Sequence, residues 1–520
     1  MICSQTVRYQ QCKTRFCVLL SHPLPFTAMA KRQPPNTAKR YLILPTTGIE
    51  VSKSAAKLHS FFEKLQPDFS LNPLLDSERT TRSVAKVIDS VSGNGAKLVE
   101  LSDDALVGLR AAQPGIRIVP EVLYYPQVVR HEIADFLKFP AQTATTLKIK
   151  ILSAKDNSPA AGAKVVAFTN FAQLTGVQGV TNAKGEVSLK SGAASLKTEY
   201  VFIYPKLNFW SGLQKNATLA NGSILKVQPI DLNYKDGVRN FYGKTDLKAG
   251  TGVKVGVIDT GIGPSPDVVV AGGLNAVTGE DAGDFSDSDI HGTHVAGIIA
   301  ARGAARGIAP GVTLQAYRVF GKNSAGASNF AIIKAISQAV ADGCDLINMS
   351  LGGGEPDDAT KDAITAAYEK GTIAFVATGN DNRQPVSFPA SFTLSKAVTA
   401  MGRRDTFPAG TTDDLSIAAP FGTDRKNFIA AFSNIGPDVD FTAPGVGIIS
   451  TVPGGYATLS GTSMACPAAT GMAARLLATQ PAILKKKRDG NRSAAMLEYV
   501  ASKANKLGFG ATFEGNGILL

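Results

Sequence analysis

Three short stretches of this sequence set an acid, a base and a nucleophile where strands end or helices begin. "VKVGVIDTGIG" is an apolar strand pattern that closes on a carboxylate, Asp259. Burying the strand while one acid stands at its tip would give a fixed, partly desolvated charge; taken alone, Asp259 is better read as a turn or N-cap residue. "SDIHGTHVAGIIAA" puts His291 and His294 at the start of an apolar helical pattern. The chain holds five histidines, His22, His59, His131, His291 and His294, so an imidazole base in this part of the chain must be one of the last two. His291 precedes a Gly-Thr turn where a side chain can face a cleft, whereas His294 falls inside the apolar periodicity and is expected to pack or hydrogen-bond structurally. As a metal pair the two lack a third ligand and the HExxH pattern. "LSGTSMACPAATG" carries Ser463 in a small polar turn that runs into an alanine-rich helix, the place of an N-cap or of a nucleophile. A serine hydroxyl is inert at neutral pH until an imidazole takes its proton, and a carboxylate fixes that imidazole's tautomer. The positive end of a helix also favours negative charge developing beside it.

The elements around these residues are those that could bring them together. From about 244 to the end, strands and helices alternate: "KVGVID", "THVAGIIAA", "TLQAYRVF", "NFAIIKAISQAVADG", "DLINMSL", "ATKDAITAAYEKG", "IAFVAT". This is the pattern of an α/β domain with a doubly wound, mostly parallel sheet, in which functional groups gather beyond the carboxyl ends of the strands.

Taken together, "VIDTGIG", "HGTHVAG" and "GTSMACP" resemble the three signature motifs of subtilisin-type serine proteases, the subtilases. The resemblance covers about 244–520 and extends through "GIAPGVTLQAYRVF", "DLINMSLGG", "SFPAS", "FSNIGPDVDFTAPG" and "GNGIL". It implies a serine endopeptidase in which Ser463 attacks the peptide carbonyl, His291 serves as general base and then acid, and Asp259 orients the imidazole. "FVATGNDN" is similar to the family's oxyanion segment, which implies that Asn380 donates to the tetrahedral oxyanion beside the Ser463 backbone N–H. Asn380 also follows a strand tip and a glycine, a position from which an amide can aim into a cleft. By the same resemblance Ser350, Leu351, Gly352 and Gly353 line the primary specificity pocket and offer backbone to an extended peptide, and Phe388-Pro389 is cis. Two departures stand out: Ala468 replaces the family's usual histidine, and "PSPDV" replaces "HPDL". Cys466, three residues past the serine, is expected to be a small buried group. No cofactor is required for such chemistry; Asp284, Asp287 and Asp289 are candidates for structural calcium, without a known loop pattern.

The front of the chain differs in kind. Residues 41–126 read as a small α+β unit with "YLILP", "SAAKLHSFFEKL", "AKLVELS", "DDALVGLRAAQ" and a closing strand "RIVPEVLYY". It resembles the subtilase inhibitory propeptide, which implies a folding aid whose tail lies in the active-site cleft until cut, with processing soon after Tyr125. Residues 147–231 alternate in short strands parted by Gly, Asn and Pro, a β-sandwich similar to carboxypeptidase-regulatory modules. Residues 244–520 form the peptidase-like domain, and 1–40 form a basic arm.

Composition bounds the remaining classes. The 520 residues require more than one core, and 44% apolar with 18% charged residues is globular. Of the net charge of +12, seven positive charges (Arg8, Lys13, Arg15, Lys31, Arg32, Lys39 and Arg40) lie in the arm without one acid. A second cluster, Lys485 to Arg488, sits late in the chain; neither cluster has interleaved aromatics, so no nucleic-acid partner is expected. Three of five cysteines (Cys3, Cys12, Cys17) fall in the arm, which excludes a disulfide scaffold. No apolar run spans a membrane. The first 30 residues hold part of a signal-peptide pattern, "FCVLL" then "AMA", interrupted by His22, Pro23 and Pro25; a secreted monomer acting on proteins or peptides is expected. The competing class is a catalytically silent binding protein that uses the β-sandwich.

Overall fold

The computed structural model describes residues 38–52, 55–71, 84–137, 145–322, 324 and 326–520. The basic arm, with its signal-like segment and three cysteines, lies outside the described residues apart from its last three positions.

The largest element is a ten-stranded sheet. Seven strands, counted inward from one edge, are parallel and run in the order Gly272–Asn275, Thr313–Arg318, Lys254–Asp259, Leu346–Met349, Ile373–Ala377, Ser395–Arg403 and Val439–Pro444. Lys254–Asp259, first in the chain, is thus flanked by a later strand on each side, and the chain's winding reverses at its carboxyl end. That end is where an open α/β sheet forms a crevice, and Asp259 occupies it.

Both faces are covered, as near-continuous apolar strands such as "VGVI" require. Helices His291–Ala300 and Thr462–Leu477 pack on one face with Val255, Val257, Leu346, Phe375 and Phe441. Helices Asn329–Ala341 and Asp358–Glu369 pack on the other with Ile258, Ile347, Met349 and Val376. All ten residues of His291–Ala300 are buried, so this helix has no solvent face to make it amphipathic.

Residues 39–120 build a four-stranded antiparallel sheet with two helices. Its strands are ordered Ala85–Ser90, Lys97–Leu101, Lys39–Pro45, Ile116–Pro120. The period of two decides its two faces. Ile43, Val99 and Leu101 pack with Phe62, Leu65, Ala105 and Leu109 of its own helices. Leu42, Leu44 and Leu98 point the other way, into the core formed with helices Asn329–Ala341 and Asp358–Glu369. Ion pairs rim that contact, Arg117 with Asp362 at 2.5 Å and Lys334 with Asp89 at 3.0 Å.

The stretch "RIVPEVLYY", expected as one strand, is two. Ile116–Pro120 closes the four-stranded sheet, and Leu123–Pro126 leaves it to pair elsewhere. The break falls where Asn329, at the start of its helix, captures the chain. Its Nδ2 donates to the Pro120 carbonyl at 3.3 Å, its backbone N–H to the Val122 carbonyl at 2.8 Å, and its Oδ1 accepts the Val122 N–H at 3.2 Å.

Between residues 145 and 227 a three-stranded sheet and four strands of a five-stranded sheet, whose fifth is Asp135–Phe136, share a core of Leu147, Ile149, Val187, Val165, Ala167 and Val201. The unit is not a detached bead. Trp210, the chain's one tryptophan, is 1% exposed and belongs to the core of the large sheet's first face. The Leu213 N–H donates to the Gly410 carbonyl at 2.9 Å, and the Thr412 N–H to the Ser211 carbonyl at 3.1 Å.

Candidate active site

Asp259, His291 and Ser463 come from three elements that meet at the reversal point of the large sheet. Asp259 ends its strand at 1% exposure; its Oδ1 accepts the Thr260 N–H at 2.7 Å and lies 2.7 Å from His291 Nδ1. His291 begins its helix directly, with Gly292 and Thr293 inside the helix, where a turn had been expected. Burial pulls the imidazole's affinity for a proton down. The charge and hydrogen bond of Asp259, with smaller contributions from Asp289 and Asp287, outweigh it and leave the pKa above the usual histidine value. His291 Nε2 has no hydrogen-bond partner among the described residues.

His294, three residues on, is fully buried. Its Nε2 faces the carbonyls of Ile448 at 3.0 Å and Ala457 at 3.2 Å, so it bridges two strands of the chain as a donor. Burial lowers its pKa to about 3 and keeps it neutral.

Ser463 is the second residue of helix Thr462–Leu477, after Gly461. The helix contains Pro467, which has no N–H to give the carbonyl four residues back. That carbonyl belongs to Ser463, and the Ser350 hydroxyl satisfies it at 2.9 Å. Asn348 Nδ2 donates to Ser350 Oγ at 3.0 Å and Thr470 Oγ1 to Asn348 Oδ1 at 3.0 Å, a buried chain that seats the helix start on the sheet. The Ser463 hydroxyl itself donates to the Ser350 carbonyl at 2.9 Å.

Asn380 follows the strand Ile373–Ala377. Its Oδ1 accepts from the Thr462 N–H at 2.9 Å and the Thr462 hydroxyl at 3.0 Å, which fixes the amide so that Nδ2 is free, buried and without a partner among the described residues.

The crevice is filled by the chain itself. Leu123–Pro126 is the middle strand of a three-stranded antiparallel sheet, with Ala327 opposite Tyr124 on one side and Leu351 and Gly352 opposite Pro126 and Tyr125 on the other. The Gln127 N–H donates to the Ser350 carbonyl at 3.3 Å. The Gln127 carbonyl accepts the Ser463 N–H at 3.0 Å. This places the Gln127–Val128 peptide bond against the serine. The Tyr124 side chain is fully buried, its hydroxyl 2.5 Å from the Asp357 carboxylate. A methyl on Gly354 would stand 2.6 Å from the Tyr124 ring, so only glycine leaves this pocket open. Ser350–Gly353 therefore contact Tyr125, Pro126 and Gln127, while Tyr124, Asn329, Asp357 and Gln127 complete the site without any sequence motif of their own.

The three aspartates considered for calcium are otherwise engaged. Asp284 bonds Ser286 at 2.5 Å and pairs with Lys322 at 3.2 Å; Asp287 takes the hydroxyls of Thr260 at 2.8 Å and Thr293 at 2.5 Å; Asp289 takes the Ile290 N–H. They do not fit a shared cation. Among the described residues no group of three or more His, Cys, Asp or Glu could hold a metal. Cys466 is buried, its thiol pushed up by burial, and Phe388-Pro389 is cis. Ala468 is buried in the helix after the serine.

A doubly wound sheet with a serine at a helix start, a carboxylate-paired histidine and a peptide strand held across its crevice defines a serine endopeptidase. The model of the subtilase family matches residues 250–512, and the chain belongs to that family. It is 34% identical to Subtilisin BL of Lederbergia lenta over 274 residues, 52% of this chain and 89% of that protein. It is 38% identical to Subtilisin DY of Bacillus licheniformis over 244 residues, 45% of this chain and 80% of that protein. Against the Minor extracellular protease Epr of Bacillus subtilis (strain 168) it is 37% identical over 238 residues, 45% of this chain but 33% of Epr. Catalysis in this family needs no cofactor. Among the described residues no helix is long and apolar enough to cross a membrane.

Proposed function

We propose that this chain is a secreted serine endopeptidase made as a proenzyme, and that its first substrate is its own Gln127–Val128 bond. The observation that carries the reading is the Gln127 carbonyl, held 3.0 Å from the Ser463 N–H on a strand paired along both edges. Oxyanion donors belong about 2.7–3.1 Å from where the charge develops.

In this reading Ser463 Oγ leaves its bond to the Ser350 carbonyl and attacks the Gln127 carbonyl carbon. His291 Nε2 takes the hydroxyl proton. Asp259, fixed at Nδ1, holds the reactive nitrogen toward the serine and stabilises the imidazolium. The oxyanion is held by the Ser463 N–H and Asn380 Nδ2. His291 then returns the proton to the Val128 nitrogen, the C–N bond breaks, and water attacking the acyl-enzyme by the reverse path regenerates the serine. Residues 41–126, with Gln127 as last residue, act as the inhibitory pro-unit. Ser350–Gly353 and the Tyr124 pocket become subsites for protein or peptide substrates. The unit at 147–231 stays with the peptidase domain.

Intact mass of wild type and Ser463→Ala tests this. Wild type is expected as two pieces, the second beginning at Val128, with hydrolysis of casein; the variant stays whole and inert, since loss of the serine in subtilisin costs about 10⁶-fold in turnover. A variant that is cut like wild type, or a wild type cut elsewhere, refutes the assignment.

A further inference from the structure

On the far side of the Gln127–Val128 bond the strand is gripped a second time, first by the peptidase and then by residues outside it. The Val129 N–H donates to the Ser460 carbonyl at 2.8 Å. The His131 N–H donates to Tyr204 Oη at 3.1 Å, and the same oxygen lies 2.8 Å from His131 Nδ1. One hydroxyl thus accepts from the backbone and can donate to the ring, provided Nδ1 carries a lone pair. The His131 ring stacks on Phe202, centroids 4.2 Å apart and planes 20° from parallel, with Phe171 at 5.6 Å. Ile133 is buried with Val166, Phe168 and Leu213, and Asp135–Phe136 adds a strand beside Thr175 and Gly176.

Phe171, Phe202 and Tyr204 belong to the unit of residues 145–227, which Trp210 and the Gly410 and Thr412 bonds fix to the peptidase core. A cavity of about 270 Å³, lined by Tyr204 and Pro205 from that unit and Asn380 and Ser460 from the peptidase, runs between this aromatic notch and the oxyanion amide. The unit therefore forms a wall of the cleft beyond the scissile bond.

We propose that Phe171, Phe202 and Tyr204 form a subsite for the fourth residue after the scissile bond, suited to an imidazole or aromatic ring, and that in the processed enzyme this subsite keeps the enzyme's own Val128–His131 strand in the cleft. The inference rests on cleavage at Gln127–Val128. After the cut the pro-unit is a separate piece, but Val128 remains covalently continuous with the residues that clamp His131. Its effective concentration at its own subsites is set by a three-residue tether, which favours occupancy without any new contact. The processed enzyme then meets extended substrates with this half of its cleft filled, whereas a substrate ending in a methyl ester at the scissile position needs only the other half.

The test uses enzyme made from the full chain, processed and diluted until its pro-unit is released, and the variants His131→Ala and Tyr204→Phe, each titrated with a fluorophosphonate that labels the active serine. For a peptide with four residues on each side of its scissile bond, His131→Ala should raise kcat/KM at least tenfold, with the methyl ester of its first four residues unchanged. Tyr204→Phe, which keeps the ring, should move the peptide in the same direction by less. Acetylation of the Val128 amine, read by mass, should be at least tenfold slower in the parent than in His131→Ala. Parent peptides with His in the fourth position after the bond should show lower KM than those with Gly. Equal acetylation and equal peptide kinetics in parent and variants overturn the inference. Full fluorophosphonate labelling beside that result leaves the catalytic reading standing. An amino terminus other than Val128 removes the catalytic reading's cleavage site first.

Discussion

Tyr124 is where the pro-unit reading can be tested by magnitude. Its ring is wholly buried and its hydroxyl meets Asp357, which caps helix Asp358–Glu369 by accepting the Thr360 N–H at 2.9 Å and also takes the Asn329 amide at 3.2 Å. Burial and the neighbouring carboxylate both raise the phenol's pKa, so the hydroxyl keeps its proton and donates. Tyr124→Phe removes one hydrogen bond to a charged acceptor, about 1.5–3 kcal/mol, or about 10- to 150-fold in affinity. Tyr124→Ala empties the pocket and should cost about 3–5 kcal/mol, or about 150- to 4,000-fold.

The two steps of maturation should feel that loss differently. Before the cut the strand is part of one chain, and a tether of this kind supplies an effective concentration of about 1 mM. A strand that would bind as a separate piece at about 1 nM stays docked even after a loss of about 10³-fold. The cutting rate of Tyr124→Ala is therefore expected within a few-fold of the parent. After the cut the fragment ending at Gln127 must hold on by affinity alone, and the full loss appears. Diluting freshly processed enzyme and measuring chromogenic peptide hydrolysis against total concentration gives the midpoint of release. It should move to higher concentration by about 10- to 150-fold for Tyr124→Phe and about 150- to 4,000-fold for Tyr124→Ala. Release midpoints within threefold of the parent in both variants would refute the pocket as the anchor of the pro-unit.

Asn380→Ala should lower kcat by about 10²–10³ with KM nearly unchanged, because Nδ2 meets only the developing oxyanion; an equal loss in KM would show a ground-state contact instead. Asp413 is buried and its pKa is raised to about 6, so the folded state holds a proton that the unfolded chain gives up near 4. Its contribution to stability should fall by about 3 kcal/mol as pH rises from about 4 to 6 and then level; urea unfolding of Ser463→Ala with and without Asp413→Asn checks this, the fall over that range being smaller by that amount in the double variant. Cys344 is pushed up to about 12 by burial, and Cys466 is raised as well, so neither should react with a thiol reagent at pH 8 in the folded protein, while both react in urea. Trp210 emission should be blue-shifted in the native protein and report the junction of the 145–227 unit with the peptidase core; an unshifted native spectrum would contradict its burial.

The peptidase half was legible because its chemistry is tied to residue type. A triad needs particular side chains in particular local settings, so the three stretches around Asp259, His291 and Ser463 stand out together in the letters, and their resemblance to the subtilase motifs assigns the roles that no one of them shows alone. Long apolar strands announced the parallel sheet for the same reason. Gln127 could not be found that way. What places it at Ser463 is its carbonyl, which every residue has, and its register is fixed by strands more than 190 positions along the chain. Tyr124 and Trp210 were invisible for a related reason: each is an ordinary apolar ring whose pocket is built by remote segments. "RIVPEVLYY" carries strand propensity throughout, and what splits it is Asn329, a polar residue about 200 positions away.

That asymmetry has a physical consequence for how the front half works. The four-stranded unit buries one face on its own helices and the other on the peptidase helices, so much of what orders it belongs to the domain it would inhibit. Cutting one peptide bond removes none of these contacts. It removes only the tether, so whether the pro-unit stays becomes a question of affinity and concentration. The strand on the other side of the cut keeps its tether, through Ile133 and Asp135–Phe136 into the 145–227 unit. Of the two products of the proposed cut, one can leave by dilution and the other cannot, and the difference lies in covalent connectivity.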